Sequence, residues 1–431
     1  MSNSTERFNR DADQLKELKR LVRSVQATNP FYQQKLAASP ACETASTLTE
    51  ALASLPFTRK SELVADQQAH PPYGTNLTFP LERYVRCHQT SGSSGHPLRW
   101  LDTPESWEAM LSQWQEVFRA AGVTPRDRIF FAFSFGPFLG FWTAFEAATR
   151  LGLLSFPGGG LTSIARIRSL LDHGVTTLCC TPTYALHLGE TARANQINLQ
   201  HSAVRRIIVA GEPGGSIPST RERIHTLWPG AQVFDHHGMT EVGPVTYECP
   251  RQPGLLHIIE TSYIAEFLEP NGDRPIPAGE MSELILTTLK RDGSPLIRYR
   301  TGDLVVREKM DNEAKVCACG TLNAGLRGGI LGRTDDMVVV RGVNLYPSAV
   351  EEVIRRFGEI DEYDVLIERT AGLASVLLRI EPKSAQPSQP QLASRLGQEL
   401  QNAFSLRFEI QVIPSGTLPR QELKARRWNI K

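Results

Sequence analysis

A chain of 431 residues is longer than one hydrophobic core usually grows, so more than one domain is expected. Hydrophobic residues at 41% and charged residues at 22% describe an ordinary globular protein, and 47 basic against 46 acidic side chains leave no excess charge for a nucleic-acid or anionic-membrane partner. Met1 to Arg10 is polar without an apolar h-region, no apolar run is long enough to span a bilayer, and seven cysteines fit reduced thiols or metal ligands better than a disulfide framework, so a cytoplasmic small-molecule enzyme is expected.

In chain order, leucines and valines at positions 15, 18, 21, 22 and 25 recur at helical spacing and predict an amphipathic helix from Asp11 to Ala27, ended by Asn29-Pro30. Residues 36 to 80 read as loops and short helices. Thr90-Ser91-Gly92-Ser93-Ser94-Gly95-His96-Pro97 follows, where two glycines permit a tight backbone turn and four hydroxyls add donors, as a polyphosphate requires. An ordinary Ser/Gly surface loop has the same composition, and no Gly-Lys-Ser/Thr follows to make a Walker loop. Ser106 to Ala121 is helical, with Trp107, Trp114 and Phe118 read as core.

Apolar strands then alternate with helices: strand Arg128 to Phe135 with helix Phe138 to Leu151, strand Val175 to Cys180 with a helix to Ala194, and strand Val204 to Ala210 with a helix near Thr220 to Trp228. A further strand, Ala231 to Phe234, runs into Asp235-His236-His237-Gly238-Met239-Thr240-Glu241. This rhythm predicts an α/β fold with parallel βαβ units, in which ligands sit beyond the carboxyl ends of the strands. After Thr261 short alternating strands with turns at Asn271-Gly272-Asp273 and Arg291-Asp292-Gly293 predict an antiparallel, β-rich subdomain. Near Gly332 to Asp336 the pattern changes again to a small α+β unit, giving domains 1–334 and 335–431.

Several motifs in order resemble the adenylate-forming superfamily, most closely its phenylacetate–coenzyme A ligase branch. The run from Thr90 to Pro97 is similar to the phosphate loop, Gly211-Glu212-Pro213 to the adenine turn, and His237-Gly238-Met239-Thr240-Glu241 to the Y-G-x-T/S-E motif. Tyr299-Arg300-Thr301-Gly302-Asp303 is similar to the ribose motif, and Gly332-Arg333-Thr334-Asp335-Asp336 with Arg341-Gly342-Val343-Asn344 to the hinge and thioester loop. The resemblance implies a large adenylation domain and a mobile C-terminal domain turning near Asp335. It implies that Thr90, Ser91, Gly92, Ser93, Ser94 and Gly95 hold phosphates, that Gly211, Glu212, Pro213, His237, Gly238 and Met239 border adenine, and that Asp303 and Arg333 hold the ribose. Thr240 would donate to the α-phosphate, Glu241 would bind Mg²⁺, Lys424 would be the catalytic lysine, and Arg341, Gly342, Val343 and Asn344 would meet coenzyme A. The acid would lie near Phe135, Gly136, Phe141, Gly158, Gly159 and His237, and its ring would be aromatic because Phe133, Phe135, Phe138, Phe141 and Trp142 crowd one segment.

Three departures stand out: His237 replaces a tyrosine and can stack on adenine or touch the acid, His96 replaces a lysine with Arg99 near, and Leu423 replaces the glycine before Lys424. Separately, Cys249, His257, Cys317 and Cys319 make a complete tetrahedral zinc set, against the reading of unrelated loop cysteines, and some relatives carry a structural zinc hereabouts. The reaction implied is ATP-dependent activation of an aryl acid to an acyl-adenylate, then transfer to coenzyme A with release of AMP. The alternatives are transfer to a carrier protein or amine, and a nucleotide-binding homologue without catalysis; a homodimer is the common assembly.

Overall fold

The computed structural model describes residues 3–430 apart from 38, 40, 91–96, 310–315, 335–337, 341–342, 371–372, 384–388 and 419–426. The first amphipathic pattern folds as α1 (Asn3–Thr28), which buries Leu18, Leu21, Val22 and Val25. It is followed by α2 (Pro30–Lys35), α3 (Ala41–Thr44), α4 (Leu48–Ala53) and α5 (Lys60–Ala69). Asn29 caps α2, and Thr47 with Glu50 forms a capping box on α4, so these short helices start where side chains take up their free N–H groups. Just before α5, Thr58 pairs with Tyr299, donating its N–H to Arg298 O and accepting from Arg300 N.

The antiparallel pair β1 (Arg86–Gln89) and β2 (Arg99–Asp102) flanks the Ser/Gly loop and leads into α6 (Pro104–Ala120), whose Trp107, Trp114 and Phe118 are core residues as expected. The βαβ rhythm then builds β3 (Arg128–Phe131), α7 (Leu139–Arg150), β4 (Leu154–Pro157), α8 (Ser163–Asp172), β5 (Thr177–Cys180), α9 (Pro182–Ala194), β6 (Arg206–Val209), α10 (Pro218–Leu227) and β7 (Gln232–Asp235). The strands form one parallel five-stranded sheet in the order β4-β3-β5-β6-β7. Alternate residues serve opposite faces: Ile129, Phe131, Cys179 and Ile208 pack with α6 and α7, whereas Phe130, Leu178, Cys180 and Ile207 pack with α8, α9 and α10.

Two differences from the sequence reading have physical causes. Neither β4 nor α8 is expected from the apolar spacing of residues 152–174: β4 is a four-residue edge strand with Leu154 57% exposed, so it lacks the continuous apolar run of a buried strand, and α8 buries only Arg166, Ile167 and Leu170. The first strand stops at Phe131 rather than Phe135, which adopts φ 48 and turns the chain out of the sheet.

The β-rich region follows: a tight pair β8 (Gly238–Met239) and β9 (Gly243–Pro244), then β10 (Thr246–Glu248), β11 (Leu255–Ile258), β12 (Tyr263–Leu268), β13 (Met281–Thr288), β14 (Tyr299–Val306), β15 (Gly325–Arg327) and β16 (Gly332–Arg333). Two antiparallel sheets result, β10-β11-β15 and β12-β13-β14-β16. Beyond them lie β17 (Val338–Val340), β18 (Val343–Leu345), α11 (Pro347–Arg355), β19 (Ile360–Thr370), β20 (Leu373–Pro382), α12 (Gln389–Phe404), β21 (Glu409–Val412) and β22 (Trp428–Ile430), with a second four-stranded sheet in the order β21-β20-β19-β22. This C-terminal unit has its own hydrophobic core, running from Val338 to Phe408 and including Leu345, Ile354, Val365, Leu378 and Leu396. It meets the rest of the chain where α11 packs on α10 and β16. No helix among the described residues is long and apolar enough to cross a membrane.

Candidate functional site

The strand register builds the centre of the site. Asp303 on β14 lies directly opposite Arg333 on β16, and Arg333 NH1 comes 3.0 Å from Asp303 Oδ1. Gly302 sits between them at φ 77, where an added Cβ would stand 3.1 Å from Arg333 NH2, so a side chain there would push the guanidinium aside. On the other side His237 Nε2 approaches Asp303 Oδ2 to 3.1 Å. Asp303 is 2% exposed, and its carboxylate is oriented by the guanidinium on one side and the imidazole on the other.

His237 is placed by its backbone: its N–H donates to Thr246 Oγ1 at 2.9 Å, and its carbonyl accepts from Val245 N. The next residues turn through the β8–β9 pair, where a Cβ on Gly238 would lie 2.8 Å from Gly243 O. Arg291, itself paired with buried Asp102, donates to Thr240 O at 2.7 Å and fixes the turn. Glu241 is buried, and Lys60 Nζ reaches its Oε1 at 3.1 Å. Lys60 is the site residue that the sequence reading missed. It stands far from residue 241 in the chain, and α5 is carried over the site by the pairing of Thr58 with Tyr299, by Leu63 packed in the core with Val242, and by Gln67 bonded to the Arg99 backbone. The Lys60 ammonium neutralises the Glu241 carboxylate, an oxygen donor of the hard kind that Mg²⁺ takes.

Beyond β6 the turn Gly211-Glu212-Pro213-Gly214-Gly215 rests on a buried polar network. Ser216 Oγ donates to Asp235 Oδ2 at 2.5 Å, and a Cβ on Gly215 would fall 2.3 Å from Asp235 Oδ1, which leaves only glycine room there. Glu248 accepts from Asp235 N and Gly254 N and pairs with Arg221 at 2.8 Å; burial pushes its carboxyl up to about 7. The Glu212 carboxylate is already committed, accepting from Thr183 N at 2.9 Å at the start of α9. Thr90 closes the neck of the Ser/Gly loop, accepting at its side chain from Leu98 N while its own N–H donates to Leu98 O. Arg99 is tied to Pro72 O at 3.0 Å.

Ser91, Gly92, Ser93, Ser94 and Gly95, the expected hinge residue Asp335, Arg341 and Gly342, and Lys424 lie outside the described residues. Val343 and Asn344 are in β18, paired with Val340 and Val339.

The aromatic segment assembles at the carboxyl end of β3. Phe133 stacks on Phe141 at 3.9 Å between centroids, Phe135 meets Trp142 edge-on at 5.2 Å, and Phe135 also meets Phe145. Gly158 and Gly159 border this cluster: a Cβ on Gly159 would touch the Phe135 ring at 3.4 Å, and one on Gly158 would collide with Phe130 at 2.6 Å. Trp142 Nε1 donates to Gly136 O at 3.0 Å. Because α7 packs against β8 and β9, this cluster adjoins the His237 to Glu241 turn.

Away from this cleft, ligand atoms of Cys249, His257, Cys317 and Cys319 all fall within 4.8 Å of one another, with Cys249 Sγ 3.6 Å from Cys317 Sγ and Cys319 Sγ 3.5 Å from His257 Nε2. The other imidazole nitrogen, Nδ1, faces Asn323 O at 3.1 Å, which leaves Nε2 aimed at the thiols. Three sulfurs and one nitrogen converging in this way fit a closed tetrahedral zinc site.

Residues 342–429 match the family described as AMP-binding enzyme C-terminal domain. Over 425 residues the chain is 28% identical to phenylacetate–coenzyme A ligase of Thermus thermophilus, covering 94% of this chain and 92% of the relative, and it is 28% identical over 421 residues to the enzyme of the same name from Pseudomonas putida, covering 96% and 92%. Over nearly its whole length the chain resembles coenzyme A ligases of the adenylate-forming superfamily. Among solved members, 2-hydroxyisobutyryl-CoA ligase in its postadenylation state, in complex with 2-HIB-AMP, superposes with a TM-score of 0.91 at 26% identity over 98% of this chain and 90% of that one. The same enzyme in its thioesterification state, with 2-HIB-AMP and CoA, gives 0.72. The chain therefore superposes more closely on the first of those states than on the second.

Proposed function

We propose that the protein is an ATP-dependent aryl acid–coenzyme A ligase. The observation that carries the reading is the buried Asp303 carboxylate held between Arg333 and His237 at the mouth of the parallel sheet, a pair of acceptors suited to the two ribose hydroxyls of ATP. With the ribose there, the backbone of Gly211 to Gly215 borders the base, and the Ser/Gly loop that Thr90 closes cradles the phosphates. Thr240 donates to the α-phosphate, and Glu241 with Lys60 lies beside it. Mg²⁺ bound at Glu241 would supply charge neutralisation on the phosphates. An acid carboxylate attacks the α-phosphorus, pyrophosphate leaves, and the coenzyme A thiol then displaces AMP from the acyl carbon.

The rings of Phe133, Phe135 and Phe141 favour an aromatic acid, since an aryl group gains offset-stacked and edge contacts there. Domains 1–334 and 335–431 pivot near Asp335, so that Lys424 serves adenylation and the Arg341 to Asn344 loop serves thioester formation. The Cys249, His257, Cys317 and Cys319 set holds one structural zinc, and the seven free cysteines suit a reducing cytoplasm.

The test is pyrophosphate exchange across substituted benzoates, anthranilate, phenylacetates, cinnamates and short hydroxy acids, with and without coenzyme A. Aryl-dependent exchange and coenzyme A-dependent AMP release are expected. AMP release that needs a carrier protein instead of coenzyme A would move the assignment to the second reading, and exchange with hydroxy acids alone would remove the aryl preference.

A further inference from the structure

Arg223 lies on α10, on the sheet face that α8 and α9 also cover, and the proposed chemistry gives it no role. Its side chain is only 10% exposed, and it is shared between the two units. From the large domain Glu190 on α9 pairs with Arg223 NH2. From the small domain Ile360 O accepts from Arg223 NH1 at 3.0 Å, and Asp361 Oδ1 stands 3.7 Å from NH2. Lys383, whose N–H donates to Glu359 O beside Ile360, joins the same cluster. Burial and the nearby Arg223 guanidinium hold the Lys383 ammonium below its ordinary range, with Glu190 and Asp361 acting against them. Charges of both signs from both units thus converge at the edge of the α10–α11 contact.

An arginine in this position can tell one domain arrangement from another. Glu190 stays with it whatever the small domain does, whereas Ile360 and Asp361 leave when that domain turns. The arrangement observed is the one that matches the postadenylation state of 2-hydroxyisobutyryl-CoA ligase at a TM-score of 0.91 and the thioesterification state at 0.72. A charged hydrogen bond made in only one of two states shifts the equilibrium by its full differential strength, while one made in both shifts nothing.

We infer that Arg223 is a positioning residue that latches the small domain in the adenylation arrangement through Ile360 and Asp361, and so sets the balance between the two half-reactions. This rests on the ligase reading for its kinetic consequence but not for its structural one. Breaking the latch favours the turned arrangement, so adenylation loses rate and thioester formation does not.

The experiment compares wild type with Arg223→Ala and with the conservative Arg223→Lys. Arg223→Ala is expected to slow pyrophosphate exchange about tenfold or more, the loss of one charged hydrogen bond specific to a state, while thioester formation from supplied acyl-adenylate and coenzyme A stays within twofold of wild type. Arg223→Lys, which keeps a charged donor between Glu190 and Ile360 O, is expected to recover part of the exchange rate. Equal slowing of both half-reactions, or no slowing of exchange, would overturn the latch. Small-angle scattering of the ligand-free proteins separates this from the assigned activity: Arg223→Ala should shift the profile toward the turned arrangement even if no acid supports exchange. An unchanged profile would overturn the latch and leave the ligase assignment standing.

Discussion

Replacing Asp303 by Ala perturbs the group on which the nucleotide assignment rests. In the free protein the carboxylate is 2% exposed, with Oδ1 3.0 Å from Arg333 and Oδ2 3.1 Å from His237. Each hydrogen bond from a ribose hydroxyl to a charged acceptor is worth about 1.5–3 kcal/mol. Two hydroxyls must share one carboxylate already engaged by two neighbours, so the net loss corresponds to about one such bond rather than two. At about 1.4 kcal/mol per decade that is roughly 10- to 150-fold weaker binding. AMP is the suitable titrant, because it carries the ribose without the metal dependence of the triphosphate, and calorimetry gives its Kd directly. Asp303→Asn should fall between wild type and Ala, keeping one acceptor but losing the charge. Because Arg333 would also lose its partner, the melting temperature must be measured alongside. An Ala variant that stays folded and binds AMP within twofold of wild type would refute the ribose assignment, and with it the role of the Asp303–Arg333 pair.

Metal analysis of protein purified without chelator should find about one zinc per chain, and Cys317→Ser should lose it and destabilise the β10-β11-β15 region; zinc-free wild type of undiminished stability would remove the site. Burial holds the His236 imidazole down at about 4 from an ordinary 6.5, so the unfolded chain takes up a proton that the native chain refuses, and stability should fall as pH drops through that window, by up to about 3 kcal/mol at about 1.4 per unit. Denaturant melts between pH 7 and 4.5 check this, and His236→Gln should flatten the slope. Lys424→Ala should depress adenylation about 10²-fold while sparing thioester formation from supplied acyl-adenylate, with Asp335→Pro doing the reverse by fixing φ at the pivot; equal slowing of both steps in both variants would remove the rotation and the lysine together.

Local patterns in the sequence were sufficient for the parts of this protein whose causes are local. Period-3.6 apolar spacing marks α1 and α6, and continuous apolar runs mark the buried strands β5, β6 and β7, because each buries the surface that its own residues define. Gly302 and Gly238 sit in motifs that resemblance to the family singled out, and the structure gives the physical reason, since only glycine leaves room for the groups that crowd them. The cysteine set was legible by residue type, although its convergence to within 4.8 Å needed the β10-β11-β15 sheet to bring Cys249 and His257 against the Cys317 turn.

What tertiary structure alone decided are the contacts between segments far apart in the chain. No spacing rule links Lys60 to Glu241, because α5 is held there by contacts such as the Thr58–Tyr299 pairing, a backbone interaction indifferent to side-chain identity. The bond that ties the Glu212 carboxylate to Thr183 at the start of α9 likewise has no trace in the spacing of the two residues. The edge strand β4 escaped notice because an exposed four-residue strand buries too little to impose a pattern. The setting of the small domain on α10, through Arg223, Ile360 and Asp361, is likewise invisible in sequence: a charged contact between rigid units is fixed by how their surfaces meet, and a single arginine on an amphipathic helix reads as solvent-facing until the second surface is in place.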